Sequence, residues 1–334
     1  MTLVTCAPAE REIRELFALE VGEYLRRTPR QLPSKYLYDD LGSSLFNSIC
    51  LLPWYHVTRA ESTLLARHAR EIVAALDRPL SIAELGCGSG DKLATLVEHA
   101  AEDVARVSLI DISASALEMA GRRIEPLRVL DVVPHRSRYE DGLEWLDRHR
   151  GDGSMLVLFL GSNIGNFDPP AAHQMLTQIR RSLRPGDALL LGTDLAKPER
   201  DLLLAYDDPL QVTAAFNRNL LRRINDDLGG TFDLDGFSHC AVWNEASRRV
   251  EMHLVSRRRQ TVVVRTAGLE ITFKPDEWIW TESSYKYEPG GIVSDAARAG
   301  LVLSQQWVDE SAGFALTRFS VQTASPSRSS GEST

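Results

Sequence analysis

At 334 residues the chain is long enough for one large domain or two closely joined ones. Hydrophobic residues make up 43% and charged residues 25%, the balance of a soluble globular protein, and a net charge of -8 leaves no basic excess for nucleic acid or an anionic membrane. The cysteines Cys6, Cys50, Cys87 and Cys240 form no CxxC pair and no histidines cluster at zinc-ligand spacing, so a reduced, cytoplasmic, monomeric protein without a metal is expected.

In chain order, residues 9–76 read mostly as helix, with Ile13, Leu16, Phe17, Leu19 and Val21 spaced for a buried face. Pro, Gly and Ser in "TPRQLPSKYLYDDLGSS" break the pattern before a further helix at about 59–76. No run of 18 apolar residues occurs, and "MTLVTCAPAEREIREL" is too charged for a secretory signal. Strands and helices then alternate: strand 81–86, helix 91–100, strand 106–113, helix 115–127, strand 154–161, helix 169–183, strand 187–194. Continuous apolar strands between amphipathic helices predict a parallel sheet covered on both faces, a doubly wound α/β core. From "TFDLDGF" to "TVVVR" the period changes to two, with turn signals at Asn244 and Ser247, which predicts antiparallel hairpins in a second domain. A short helix (292–299) and two strands, "LVLSQQWVDE" and "FALTRFSVQ", are placed to rejoin the first sheet, and the tail at 323–334 reads as disordered.

The first α/β strand ends in "ELGCGSG", residues 84–90. Glycines after a strand let the backbone approach a ligand at the carboxyl edge of the sheet. The spacing Gly86-x-Gly88-x-Gly90 is not the G-x-G-x-x-G of dinucleotide sites, and Glu84 before it is ill suited to a pyrophosphate. The second strand ends in Asp111, able to accept from both ribose hydroxyls, and Asp141 in "YEDGLEWL" lies where a third strand would deliver a group to adenine. Together these features predict a cationic adenosyl ligand without phosphates, for which S-adenosylmethionine is the fitting cofactor.

The glycine motif with Asp111 resembles the class I S-adenosylmethionine-dependent methyltransferases, which implies a Rossmann-like core. More specifically, "YDDLGSSLFNSICLLPWYHVTRAE", "FLGSNIGNF", "LLLGTDLAKP", "AYDDPLQVTAAFNRNLL" and "FDLDGFSHCAVWN" resemble the histidine Nα-methyltransferases of ergothioneine biosynthesis, over about residues 30–320. The resemblance implies a methyltransferase core at 61–196 plus 287–322 and an α+β substrate domain at 8–60 plus 197–286. It implies cofactor contacts at Glu84, Gly86, Gly88, Lys92, Asp111, Asp141, Gly142 and Gly161. It assigns the carboxylate of L-histidine to Asn166 and Tyr206, and the imidazole to Glu282 and Ser284, with Met252 beside the ring and Tyr55 on the wall. Positions 282 and 284 share a strand face and can grip one ring together.

The implied reaction is three successive displacements of a methyl group by the α-amine, giving hercynine. No strong general base is evident, and proton loss is assigned to water or Tyr38. One departure stands at Asn163, where the family pattern implies threonine near the substrate amine. Three other readings stay open: the same fold acting on another amino acid or aromatic amine such as tyrosine, a cofactor-binding module without turnover, and a dehydrogenase.

Overall fold

The computed structural model describes residues 10–100, 104–127 and 129–321; the expected tail lies outside the described residues. The chain opens with α1 (Glu10–Leu25), whose buried stripe is Phe17, Ala18, Val21 and Leu25. That spacing leaves Leu16 43% and Leu19 68% exposed, so the expected face was wrong at those two positions. After a two-residue strand β1 (Arg30–Gln31) and a 3-10 turn at Ser34–Leu37 comes α2 (Asp40–Cys50). Asp39 caps α2 by accepting the Gly42 N–H at 2.7 Å, which satisfies a donor that the helix start would otherwise leave unpaired. The next helix is α3 (His56–Ala74).

The α/β core follows as β2 (Leu80–Leu85), α4 (Asp91–Ala100), β3 (Val104–Asp111), α5 (Ala114–Ile124), β4 (Asp131–Arg136), α6 (Tyr139–His149), β5 (Ser154–Phe159), α7 (Pro169–Ser182) and β6 (Ala188–Asp194). Strand β5 is buried at every residue, as a central parallel strand covered on both faces should be. Strand β4 and helix α6 were not read from the sequence. Pro134 interrupts the apolar pattern there and cannot donate to a ladder; β4 tolerates it as an edge strand, paired only with β3.

The rest of the chain is α8 (Glu199–Tyr206), α9 (Val212–Leu228), β7 (Phe237–Asn244), β8 (Arg249–Ser256), β9 (Gln260–Val264), β10 (Leu269–Phe273), β11 (Trp278–Tyr285), α10 (Pro289–Arg298), β12 (Val302–Asp309) and β13 (Phe314–Ser320). Strands β12 and β13 do return to the first sheet, whose seven strands run β12-β13-β6-β5-β2-β3-β4. The five strands β2 to β6 are mutually parallel where paired, and β13 joins β6 antiparallel. A second sheet, β1-β11-β8-β7, and the β9–β10 hairpin carry the period-two region. The β7–β8 turn falls at the expected signals, with the Ser247 N–H donated to Asn244 Oδ1 at 3.1 Å. Strand β11 slips register between Trp280 and Glu282; such a bulge re-aims the side chains that follow it. Among the described residues no helix is long and apolar enough to cross a membrane.

Candidate active site

The site begins where β2 meets its glycine turn. Gly86 has φ +76°, and a Cβ there would lie 2.9 Å from Tyr139 Oη and 3.0 Å from Asn163 Nδ2. Glycine is therefore required both by the backbone and by the neighbours. The Gly88 N–H donates to Asp111 Oδ2 at 3.2 Å, and the Ser113 N–H to Oδ1 at 2.9 Å, so the turn and the end of β3 are tied through one carboxylate. Burial raises the pKa of Asp111 while these N–H groups pull it back. Glu84, at the strand end, is buried and its Oε2 has no partner. Burial pushes its pKa up to about 8, against the pull of the Lys92 charge.

In front of this turn lies a cavity of about 600 Å³ whose lining includes Tyr38, Gly86, Asp111, Tyr139, Asn163, Asn166 and Glu282. Behind it sits a much smaller pocket of about 30 Å³. Tyr38, Asn163, Asn166 and Glu282 line both and so form the wall between them. The cradle at Gly86, the carboxylate of Asp111 and the unpartnered buried oxygen of Glu84 fit a ligand with ribose hydroxyls and a cationic amine.

The loop after β5 forms the floor. Gly161 and Ser162 take φ +74° and +56°, and a 3-10 turn follows at Asn163–Asn166. The Gly161 N–H donates to both carboxylate oxygens of Glu61 at 2.9 Å. Glu61 is fully buried on α3 and is paired with Lys92 at 2.7 Å. Ser162 Oγ accepts the Asp194 N–H at 2.9 Å, which joins the loop to the end of β6. A Cβ on Gly165 would stand 2.8 Å from the backbone oxygen of Tyr285, so this glycine lets the loop lie directly on β11.

The inner pocket gathers side chains from both sheets. Tyr55, Phe46 and Phe216 supply aromatic wall; Met252 and Glu282 are cross-strand partners on β8 and β11. Glu282 and Ser284 both face the pocket, two residues apart as the strand period requires. Burial pushes the Glu282 pKa up to about 7, opposed by the charge of Lys286 and a hydrogen bond from Tyr38. Tyr206 Oη donates to Ser284 Oγ at 2.7 Å. Lys286, wholly buried, donates to Ser284 Oγ at 2.8 Å and Tyr206 Oη at 2.9 Å, and pairs with Asp194 at 2.8 Å. Burial works against the charge on Lys286, but Asp194 and Tyr206 together outweigh it and raise the pKa. Tyr38 is pushed well above the ordinary phenol value by burial first and by Glu282 second; it is held as a neutral donor.

Of the residues expected from the sequence, Tyr38, Tyr55, Gly161, Asn166, Tyr206, Met252, Glu282 and Ser284 all line the inner pocket, and Gly86 and Asp111 line the outer one. Glu84, Gly88 and Lys92 are in neither lining: Glu84 is buried near the end of β2, the Gly88 N–H goes to Asp111, and Lys92 is paired with Glu61. Asp141 and Gly142 line neither cavity. Strand β4 ends at Arg136, so position 141 already lies in the first turn of α6, where its half-exposed carboxylate pairs with Arg138 at 3.1 Å. Gly142 is a packing glycine, since a Cβ there would meet Ile110 Cγ2 at 2.6 Å. The cavity is lined by Arg138, Tyr139 and Glu140 instead. Glu61, Asp194 and Lys286 were missed. Lys286 carried a signal, because it continues the face of 282 and 284; Glu61 carried none.

Comparison with known proteins agrees with this geometry. The family described as "Histidine-specific methyltransferase, SAM-dependent" matches residues 17–321. A histidine N-alpha-methyltransferase of Mycolicibacterium smegmatis is 39% identical over 308 residues, 91% of this chain and 94% of its own. One from Mycobacterium tuberculosis is 40% identical over 300 residues, 89% of this chain and 92% of its own. A more distant relative, the L-tryptophan methyltransferase of Psilocybe serbica, is 27% identical over 314 residues, 86% of this chain and 87% of its own. A family match across both sheets, with a glycine cradle opening onto a small polar pocket, shows that the chain belongs to the histidine-specific, S-adenosylmethionine-dependent methyltransferases.

Proposed function

We propose that the protein transfers methyl groups from S-adenosylmethionine to the α-amine of L-histidine, three times in succession, giving hercynine as a step of ergothioneine biosynthesis. The observation that carries this reading is the inner pocket: Glu282 and Ser284 on one strand face, within a wall of aromatic side chains, with Glu282, Asn163 and Asn166 shared with the cavity of the glycine cradle. An acceptor and a hydroxyl held side by side suit a ring with two nitrogens, and a site built for such bonds rejects rings that leave its polar groups unpaired. The same reading divides the chain into a methyltransferase core (61–196 and 287–322) and a substrate domain (8–60 and 197–286).

S-adenosylmethionine, when bound, supplies a methyl group already activated by its sulfonium. Glu84, the Gly86–Gly90 turn and Asp111 would hold it, the last by accepting from ribose hydroxyls. The chain's own contribution is then alignment and desolvation. Asn166 orients the carboxylate without placing a cation beside the sulfonium; Tyr206, expected to share that role, gives its proton to Ser284 instead. Asn163, at the wall between the two cavities, stands near the path of the amine. Tyr38, kept protonated, positions groups by donating a hydrogen bond; the amine proton leaves to water.

Mass spectrometry of purified protein with S-adenosylmethionine and all twenty amino acids tests the proposal. A gain of three methyl groups on histidine is the expected result. A gain on tryptophan or tyrosine alone, or on histidine only once at completion, overturns the substrate or the multiplicity respectively.

A further inference from the structure

The buried ammonium of Lys286 has more to do than neutralise Asp194. Asp194 already holds Lys197 at 2.7 Å, so the three groups together carry a net positive charge, with Lys286 against Tyr206 and Ser284 of the inner pocket. An ammonium has three N–H donors and no acceptor. Those of Lys286 go to Asp194 Oδ2 at 2.8 Å, Tyr206 Oη at 2.9 Å and Ser284 Oγ at 2.8 Å. The Tyr206 hydroxyl, accepting from Lys286, gives its own proton to Ser284 Oγ at 2.7 Å. A serine oxygen has two acceptor positions, and at Ser284 both are now taken. Only its proton is left, and Ser284 lines the pocket. Glu282, two residues earlier on the same face, presents a carboxylate that accepts.

We infer that Lys286 is a positioning residue which, through Tyr206, sets Ser284 as a pure donor, so that the pocket takes the substrate imidazole as a neutral ring in a single tautomer. This rests on the histidine reading above. The neutral ring has one N–H for Glu282 and one bare nitrogen for Ser284. An imidazolium has two N–H groups and sets one of them against the Ser284 proton. An indole has no bare nitrogen and leaves that proton unpaired. The charged and titratable groups around the ring are Glu282 on β11, Tyr38 from the 3-10 turn, Tyr55 before α3, Tyr206 on α8, and Asp194, Lys197 and Lys286 at the strand ends. An N–H from the ring stabilises Glu282 in its charged, accepting form.

The test is 15N NMR of ring-labelled L-histidine bound together with S-adenosylhomocysteine, between pH 6 and 8, in the wild type, Lys286→Met and Tyr206→Phe. In the wild type one ring nitrogen is protonated and the other bare, and this persists at pH 6, below the ordinary imidazole pKa of about 6.5. Either substitution frees an acceptor position on Ser284. Both are expected to give averaged tautomers or an imidazolium at pH 6, with the preference in kcat/KM for histidine over tryptophan reduced about 10-fold or more. Tyr206→Phe leaves the Lys286–Asp194 pair intact and serves if Lys286→Met does not fold. A bound imidazolium in the wild type, or unchanged spectra in the folded variants, overturns the inference and leaves Lys286 a scaffold residue only. Failure of the wild type to bind histidine at all overturns the substrate reading, and this inference with it.

Discussion

The carboxylate of Glu61 accepts the Gly161 N–H with both oxygens at 2.9 Å, although 100 residues separate the two in sequence. Lys92, from the helix after the glycine turn, completes the arrangement at 2.7 Å. One buried ion pair thus joins α3, the start of α4 and the loop that separates the two cavities.

Removing one partner of such a pair strands the other charge in the interior, at a cost of about 3–5 kcal/mol. Glu61→Ala is expected to lose stability on that scale in urea denaturation, and Lys92→Met to lose a similar amount. The double variant Glu61→Ala/Lys92→Met should lose clearly less than the sum. Strict additivity would mean that the two charges do not depend on one another.

Glu84 makes a prediction about protons. Burial lifts its pKa from 4.5 to about 8 in the folded protein, so between those values the folded state keeps a proton that the unfolded chain has released. The contribution of this group to stability therefore falls as pH rises through that window. Thermal melts from pH 5 to 8 should decline more for the wild type than for Glu84→Gln. A cation brought beside the unpartnered Oε2 reverses the shift and expels the proton. Titrating S-adenosylhomocysteine at pH 7 in buffers of different ionisation enthalpy should then show proton release in the wild type and less in Glu84→Gln; equal release in both would exonerate Glu84.

Gly165 permits the close approach of the loop to β11. A methyl group there would stand 2.8 Å from a backbone oxygen, which cannot swing aside as a side chain can. Gly165→Ala is expected to lift Asn163 and Asn166 by some tenths of an ångström or more. A misplacement approaching 1 Å costs on the order of 100-fold in rate. Steady-state kinetics should show kcat/KM for histidine falling at least about 10-fold, with less effect on S-adenosylhomocysteine affinity measured by calorimetry. An unchanged kcat/KM would show that the loop need not rest on the strand.

Glu282→Ala removes the acceptor of the inner pocket while leaving the glycine cradle untouched. Histidine turnover should drop by about 100-fold or more, with cofactor affinity within about threefold of the wild type. Wild-type kinetics in this variant would take Glu282 out of the site.

Much of this was legible in the sequence where pattern and chemistry coincide. The apolar runs of β2, β3, β5 and β6 end in glycines or a carboxylate, and two of those ends, at Gly86 and Asp111, line the outer cavity. The pair Glu282 and Ser284 came from the family resemblance, and the strand period of two placed both on one face. The same logic extended by one step would have found Lys286. Strand β4 was hidden by Pro134, and with it the segment Arg138–Glu140 that follows the strand and lines the outer cavity. Glu61 was illegible for a different reason. A carboxylate inside a helix looks like a solvated face, and nothing local reveals that its partners arrive from Lys92 and Gly161.

The two cavities differ about twentyfold in size, about 600 Å³ against about 30 Å³. Tyr38, Asn163, Asn166 and Glu282 belong to both walls, so a change at any one of the four reshapes both chambers together.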